Sequence, residues 1–256
     1  MPSWDPDQYL RFDEYRTRPA HDLLARVTAP DPGVVVDVGC GPGNSTSLLA
    51  ARWPTASLIG LDTSRAMLDR AREGIPLGRF IQSDLRDWQP DQPLDVVFAN
   101  ATLQWVDDHP AVFAHLLSWL APGGSLAVQM PTNFDQPSHT EMRRLASSAP
   151  WSESVGGVLR KRPVLPAEEY VRLLSRLGSS VDVWSTEYLH VLTGPDPVVA
   201  WVQGTGLRPV LDRLDPPAAG EFLNLYTAAM REAYPPERDG TTLFPFRRLF
   251  IVCRRD

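Results

Sequence analysis

The chain has 256 residues, 43% hydrophobic and 22% charged, which supplies enough apolar material for a large buried core at an ordinary charge density. A formal net charge of −6 withholds the broad positive field that draws nucleic acid, and no apolar run approaches the roughly 20 residues that span a bilayer. Cys40 and Cys253 are too few for a disulfide framework and fit no metal spacing, so the expected setting is reducing and cytoplasmic, with no metal.

The opening MPSWDPDQYLRFDEYR has neither the basic start nor the apolar stretch of a secretory signal, and a helix is expected around 17–27. From residue 34 short β-branched runs alternate with helical patterns. VVVDV (34–38) predicts a buried strand and NSTSLLAARW (44–53) a helix stopped by Pro54. SLIGLD (57–62) predicts a second strand, SRAMLDRARE (64–73) a second helix and RFIQSD (79–84) a third strand. LDVVFAN (94–100) predicts a fourth strand and AVFAHLLSWL (111–120) a helix, and APGG turns the chain into SLAVQM (125–130). Strands separated by helices of this length imply βαβ units and a parallel sheet. Beyond 130 the rhythm changes: a helix at 138–148, a loop bearing Arg160, Lys161 and Arg162, an amphipathic helix at 167–178 and a strand at 180–191. Helical stretches near 196–203 and 216–234 precede a closing strand at 248–254. The expected organisation is a single α/β domain over 1–256. Residues 1–30 form a helical cover, 31–193 and 246–256 the core, and 194–245 a helical insertion before the last strand.

The chemistry centres on VVVDVGCGPGN (34–44), a strand running into a glycine-rich turn and then a helix. Gly39, Gly41 and Gly43 lack Cβ atoms, so the backbone turns sharply and a ligand approaches closely. Asp62 ends the next strand, where a carboxylate accepts hydrogen bonds from both hydroxyls of a ribose. The same turn would suit a nicotinamide dinucleotide, but that spacing wants glycine or alanine where Asn44 stands. Asp37, just before the turn, would repel a pyrophosphate and tolerate a ligand with an ammonium group. Ser83, Asp84 and Leu85 end the third strand and place a second acid where an adenine amino group can be read. The plainer alternative is that Asp37 and Asp84 only cap loops.

These residues resemble the motifs of class I S-adenosylmethionine-dependent methyltransferases. That resemblance implies a Rossmann-like fold with a seven-stranded, mostly parallel sheet, and S-adenosylmethionine as methyl donor, leaving as S-adenosylhomocysteine. It implies that Asp37, Gly39, Cys40, Gly41 and Gly43 surround the methionine part, that Asp62 binds the ribose, and that Ser83, Asp84 and Leu85 lie at the adenine end. Thr63 and Met67 would pack beside the adenosine. Asn100, Ala101 and Gln104 would line the channel to the acceptor, with Trp105 either walling it or anchoring the next helix as a buried aromatic. Cys40 has no adjacent histidine to activate it and reads as a small space-filling residue.

WDPDQYLRF, RTRPAHDLLARV, NATLQW, the dipeptide PT before Asn133, WVQGTGLRP (201–209) and RLFIVCRR are similar to the trans-aconitate 2-methyltransferase family over nearly the whole chain. The resemblance implies methyl transfer to a carboxylate of a small tricarboxylate, by positioning and with no general base. A bidentate cation suits such an acceptor: Arg208 first, Arg18 second, and Arg16, Arg247 and Arg248 after them. Lys161 is the only lysine, so arginine at any one position carries little information by itself. Asn133, His139, Tyr188 and His190 are candidate neutral donors, while His21, His109 and His115 read as packing or surface residues. Methylation of a hydroxyl or amine, a nicotinamide-dependent oxidoreductase and a silent cofactor-binding protein remain open alternatives. Oligomeric state is not readable.

Overall fold

The computed structural model describes residues 13–159, 164–177 and 179–256. The motif at 4–12 and the basic triplet Arg160, Lys161 and Arg162 lie outside the described residues. The chain divides into two compact units. The larger is built from described residues within Asp13–Pro131, Pro163–Thr186 and Arg248–Asp256, and the other from those within Thr132–Arg162 and Glu187–Arg247.

In chain order the elements are α1 (Asp13–Leu24), β1 (Val34–Val38), α2 (Asn44–Arg52), β2 (Ser57–Asp62), α3 (Arg65–Gly74), β3 (Arg79–Gln82) and β4 (Leu94–Asn100). A 3-10 turn at Leu103–Trp105 leads to α4 (His109–Ser118), β5 (Leu120–Pro131), α5 (Pro137–Ala146), α6 (Ser152–Val155) and α7 (Ala167–Arg176). The remainder is β6 (Ser179–Leu192), α8 (Pro197–Gln203), α9 (Arg208–Leu211), α10 (Pro216–Ala233) and β7 (Thr242–Arg255). The described residues form a seven-stranded sheet ordered β3-β2-β1-β4-β5-β7-β6. The first five strands in that order pair in parallel and β7 lies antiparallel to β5. Val35, Val36, Val96, Val97, Phe98, Leu126, Ala127 and Val128 are wholly buried, which is why the central strands read as unbroken apolar runs rather than alternating ones.

Several boundaries differ from the sequence reading: α1 spans Asp13–Leu24 rather than 17–27, β5 starts at Leu120 and takes in the APGG predicted as a turn, and three more differ for local reasons. α4 begins at His109 rather than 111, because Asp108 caps it from a left-handed backbone (φ 56°), its carboxylate accepting from Ala111 N at 3.3 Å. β3 stops at Gln82, although Ser83 N still donates to Asp62 O of β2 at 3.1 Å. β7 starts at Thr242, six residues before the predicted strand, because Phe244 and Phe246 bury alternate positions ahead of Arg248. The short helices α6 and α9 had no periodic signal long enough to be read. Among the described residues no helix is long and apolar enough to cross a membrane.

The order reverses between β1 and β4: the crossover from β1 leads to β2 on one side, and that from β4 to β5 on the other. In open α/β sheets this switch point, at the C-terminal ends of the strands, opens the crevice used for ligands.

Candidate active site

The larger unit carries the glycine turn at that switch point. Gly39, Gly41 and Gly43 have φ of 68°, 54° and 96°, a region open to glycine and costly for other residues. At Gly41 nothing lies within 4 Å of where a Cβ would stand, so the turn faces open space there. Asp62 supports the turn from below: its two carboxylate oxygens accept Gly41 N at 2.9 Å and Ser64 N at 2.8 Å. Burial raises its pKa, partly offset by those backbone donors.

Asp37 is wholly buried under the start of α2. Ser45 Oγ donates to its Oδ2 at 2.7 Å and Thr46 Oγ1 at 2.6 Å, whereas Oδ1 is buried with no partner among the described residues. Desolvation raises its pKa to about 6, against the two hydroxyl donors that lower it. Asp37 therefore does more than cap a loop: a second acceptor atom stands unused in the interior. A cationic group is the ligand chemistry that this atom fits. Ser45 and Thr46, unnoticed in the sequence, were detectable as hydroxyls on the first turn of a helix eight and nine residues after the acid.

The other expected positions differ in what they offer. Cys40 Sγ packs with Leu68, Ala71, Ile75 and Phe80, and burial holds it as the thiol, so its side chain fills space. Met67 and Leu85 are buried, Thr63 is exposed and Ser83 is half-buried. Both Asp84 oxygens are gripped by Arg86, Nε at 2.9 Å and Nη2 at 2.6 Å, a partner absent from the sequence reading, which lowers the Asp84 pKa. Oδ1 also accepts from Arg86 N at 2.9 Å, so the lone pair left for a further donor is on Oδ2. Asn100 Oδ1 is buried with no partner among the described residues. Ala101 takes φ 54°, a strained value for a residue with a Cβ, and its carbonyl accepts from Gln104 Nε2 at 2.6 Å. Trp105 is 47% exposed, which removes its alternative reading as a buried anchor. Arg18 is exposed, and Arg16, two residues away on the opposite side of α1, is the buried one. His109 is packed between Tyr170 Oη and the Leu103 carbonyl, as a structural histidine.

The second unit has its own cluster of buried polar atoms that have no partner among the described residues. Thr132 N donates to Arg247 O at 2.9 Å, so the chain leading to Asn133 runs beside Arg247 of β7. Asn133 is wholly buried and neither atom of its amide has a partner. Arg247 pairs with Asp135 through Nη2, and its Nε is buried and unpartnered. Arg208 opens α9 half-buried, with Nη1 buried and unpartnered. The GTGLRP segment reaches α5: a Cβ on Gly206 would lie 3.6 Å from His139 Nε2 and from Met142 Cε. Desolvation, helped by Arg143, pulls the His139 pKa down to about 4, so it is neutral near pH 7. Tyr188 and His190 stack together, and His190 also stacks on Trp201. Arg248 donates to Gln129 Oε1 at 3.1 Å in the larger unit.

Comparison with known proteins points one way. A family model described as a methyltransferase domain matches residues 12–182. The chain is 51% identical to the trans-aconitate 2-methyltransferase of Methylobacterium nodulans, covering 100% of this chain and 99% of that one. It is 51% identical to the same-named protein of Streptomyces coelicolor, covering 99% and 87%, and 48% identical to that of Yersinia pestis, covering 99% and 98%. Among solved structures, the YcgJ protein of Bacillus subtilis superposes with a TM-score of 0.62 at 12% identity, covering 93% of this chain and 98% of that one. The plantazolicin methyltransferase BpumL, solved with S-adenosylhomocysteine, gives 0.51 at 15% identity, covering 97% and 85%. At such identities these two speak for the fold alone.

Proposed function

The chain belongs to the trans-aconitate 2-methyltransferase family of S-adenosylmethionine-dependent methyltransferases, and from that premise we propose that it methylates a carboxylate of trans-aconitate, giving the monomethyl ester and S-adenosylhomocysteine. The observation that carries the acceptor is the reach of the match. The methyltransferase domain match ends at residue 182, whereas the match to the relatives covers 100% of the chain, including the segments that carry Arg208 and Arg247. The oxidoreductase reading of the glycine turn falls with the family.

When bound, S-adenosylmethionine supplies an electrophilic methyl group on a positively charged sulfur. The residues present fit it: Asp37 Oδ1 is an unused buried acceptor for its ammonium group, and the turn at Gly41 leaves room for its backbone approach. Asp62 is the acceptor we assign to the ribose and Asp84 to the adenine amino group, with Met67 packing beside the adenosine. A carboxylic acid is already ionised near pH 7, so no side chain has to remove a proton. The work left to the protein is orientation and the exclusion of water, which contribute up to roughly 7–11 kcal/mol in the best cases.

Methylation removes the negative charge of the reacting carboxylate, so a strong cationic grip on that group would favour the ground state. We therefore assign Arg208, with Arg247, to the carboxylates that do not react. Asn133, which ends in a neutral amide, and His139, uncharged near pH 7, are assigned to the reacting one.

Transfer of labelled methyl to trans-aconitate, cis-aconitate, isocitrate and citrate tests the reading. The expected result is label on trans-aconitate that mild base releases, as it would from an ester. Failure on all four acceptors removes the named substrate, and label that resists base turns the case to hydroxyl or amine chemistry.

A further inference from the structure

Thr102 lies where the glycine turn and the end of β4 meet, and the mechanism above makes no use of it. A Cβ built on Gly39 would stand 2.2 Å from Thr102 Cγ2 and 2.3 Å from Oγ1, so the threonine fills the space that the glycine leaves. Its hydroxyl reaches two carbonyls, Gly39 O at 3.3 Å and Asn100 O at 3.2 Å, and shares its proton between them. Gly39 and Asn100 belong to the tips of neighbouring strands whose paired register runs from Val35↔Val96 to Asp37↔Phe98. Beyond that register the Thr102 side chain links the two tips. The segment is also fixed from its other side, where Ala101 N donates to Gln129 O on β5 at 2.9 Å and Gln104 Nε2 donates to the Ala101 carbonyl at 2.6 Å.

We propose that Thr102 is a positioning residue whose hydroxyl sets the spacing between the turn at Gly39 and the Asn100–Ala101 segment, and thereby holds both walls of the methyl donor's site in register. The inference rests on the reading that this turn receives S-adenosylmethionine. A valine at 102 keeps the bulk packed against Gly39 and removes the proton from both carbonyls. A serine keeps the proton and removes the methyl group.

The test is a calorimetric titration of S-adenosylhomocysteine into the wild type and into the Thr102→Val, Thr102→Ala and Thr102→Ser proteins, with steady-state kinetics on trans-aconitate. The loss of one neutral hydrogen bond predicts a Kd raised by about threefold to tenfold in Thr102→Val and Thr102→Ala. Thr102→Ser should stay within about twofold of the wild type. The KM for trans-aconitate should be unchanged in all three, a split that general loss of structure would not produce. Unchanged affinity in both Thr102→Val and Thr102→Ala overturns the proposal, as does an equal loss in Thr102→Ser, which would assign the role to shape. If Thr102→Val does not fold, Thr102→Ala and Thr102→Ser carry the same comparison. A wild type that takes up no S-adenosylhomocysteine is a separate result, one that removes the donor site itself and the proposal with it.

Discussion

Burial works against the charge of Asp37, and the consequences run in opposite directions for stability and for binding. Its pKa stands at about 6 in the folded chain against 3.8 for the free side chain, so the folded state holds the proton longer than the unfolded state does. The resulting stability is fully present below about pH 4 and is lost as the pH rises through about 6. The shift corresponds to about 3 kcal/mol at most. Asp37→Asn keeps an oxygen for Ser45 and Thr46, and should stabilise the unliganded protein by up to about that amount at pH 7 but not at pH 4, as urea unfolding at the two values would show. Binding reverses the sign. An ammonium group favours the ionised acid, so S-adenosylhomocysteine affinity should fall below about pH 6, by up to about tenfold per pH unit, and Asp37→Asn should abolish that slope. A flat wild-type profile would remove Asp37 from the ammonium site. Asp37, Asp62 and the glycines were legible in the sequence because a strand, a tight turn and a strand end leave fixed spacings. Arg86 on Asp84, and Thr102 against Gly39 63 residues away, were not, because no local pattern encodes which side chains meet across a turn.

α1 is attached to the core through the far end of α2. Arg52, in the last turn of α2, donates from Nη1 to Leu24 O at 2.7 Å and from Nη2 to Val27 O at 2.8 Å, clamping the exit of α1, where Leu24 O also accepts from Val27 N at 3.1 Å. Trp53 Nε1 donates to Ala29 O at 2.9 Å, extending the attachment along the exit from α1. A guanidinium spans two acceptors in a fixed fork and an ammonium does not, so lysine is no substitute here. Arg52→Met keeps the apolar stem and should cost about 1.5–3 kcal/mol of unfolding free energy, measurable from the urea midpoint at unchanged slope. A loss under about 0.5 kcal/mol would mean that water replaces the fork at no penalty. Strands β1, β2 and β4 were readable to the residue because their short apolar runs are punctuated by turn-forming or polar residues: Gly33 and Gly39 around β1, Pro54 ahead of β2 and Asp62 at its end, Pro93 before β4 and Asn100 at its end. The elements beyond residue 130 were read less well. Their faces are set by aromatic packing, as where His190 stacks on Trp201 and Trp201 lies edge-on to Phe244.

Among the described residues, the unpartnered polar atoms of the two candidate clusters differ in chemistry, although the larger unit also buries the donors Trp119 Nε1 and Gln129 Nε2 elsewhere. In the larger unit the unpartnered atoms of Asp37 and Asn100 are acceptors, whereas in the second unit those of Arg208 and Arg247 are donors, with Asn133 offering both. Buried polar groups without partners cost free energy that a ligand of the opposite character recovers. A donor molecule carrying an ammonium and a sulfonium suits the first set, and a polycarboxylate suits the second. This division predicts separable defects. Arg208→Lys loses the planar fork but keeps the charge, and should raise the KM for trans-aconitate by about tenfold or more while leaving the Kd for S-adenosylhomocysteine within about twofold. Asp62→Ala should do the reverse, weakening S-adenosylhomocysteine by about tenfold or more because the ribose loses its acceptor and Gly41 N its anchor. Sites that share no partners combine additively within about 0.5 kcal/mol, so the double variant should show the two defects side by side without amplification. Steady-state kinetics and calorimetry on the two single variants and the double variant measure this directly. If Arg208→Lys weakens S-adenosylhomocysteine as much as it weakens trans-aconitate, the assignment of Arg208 to the acceptor is wrong.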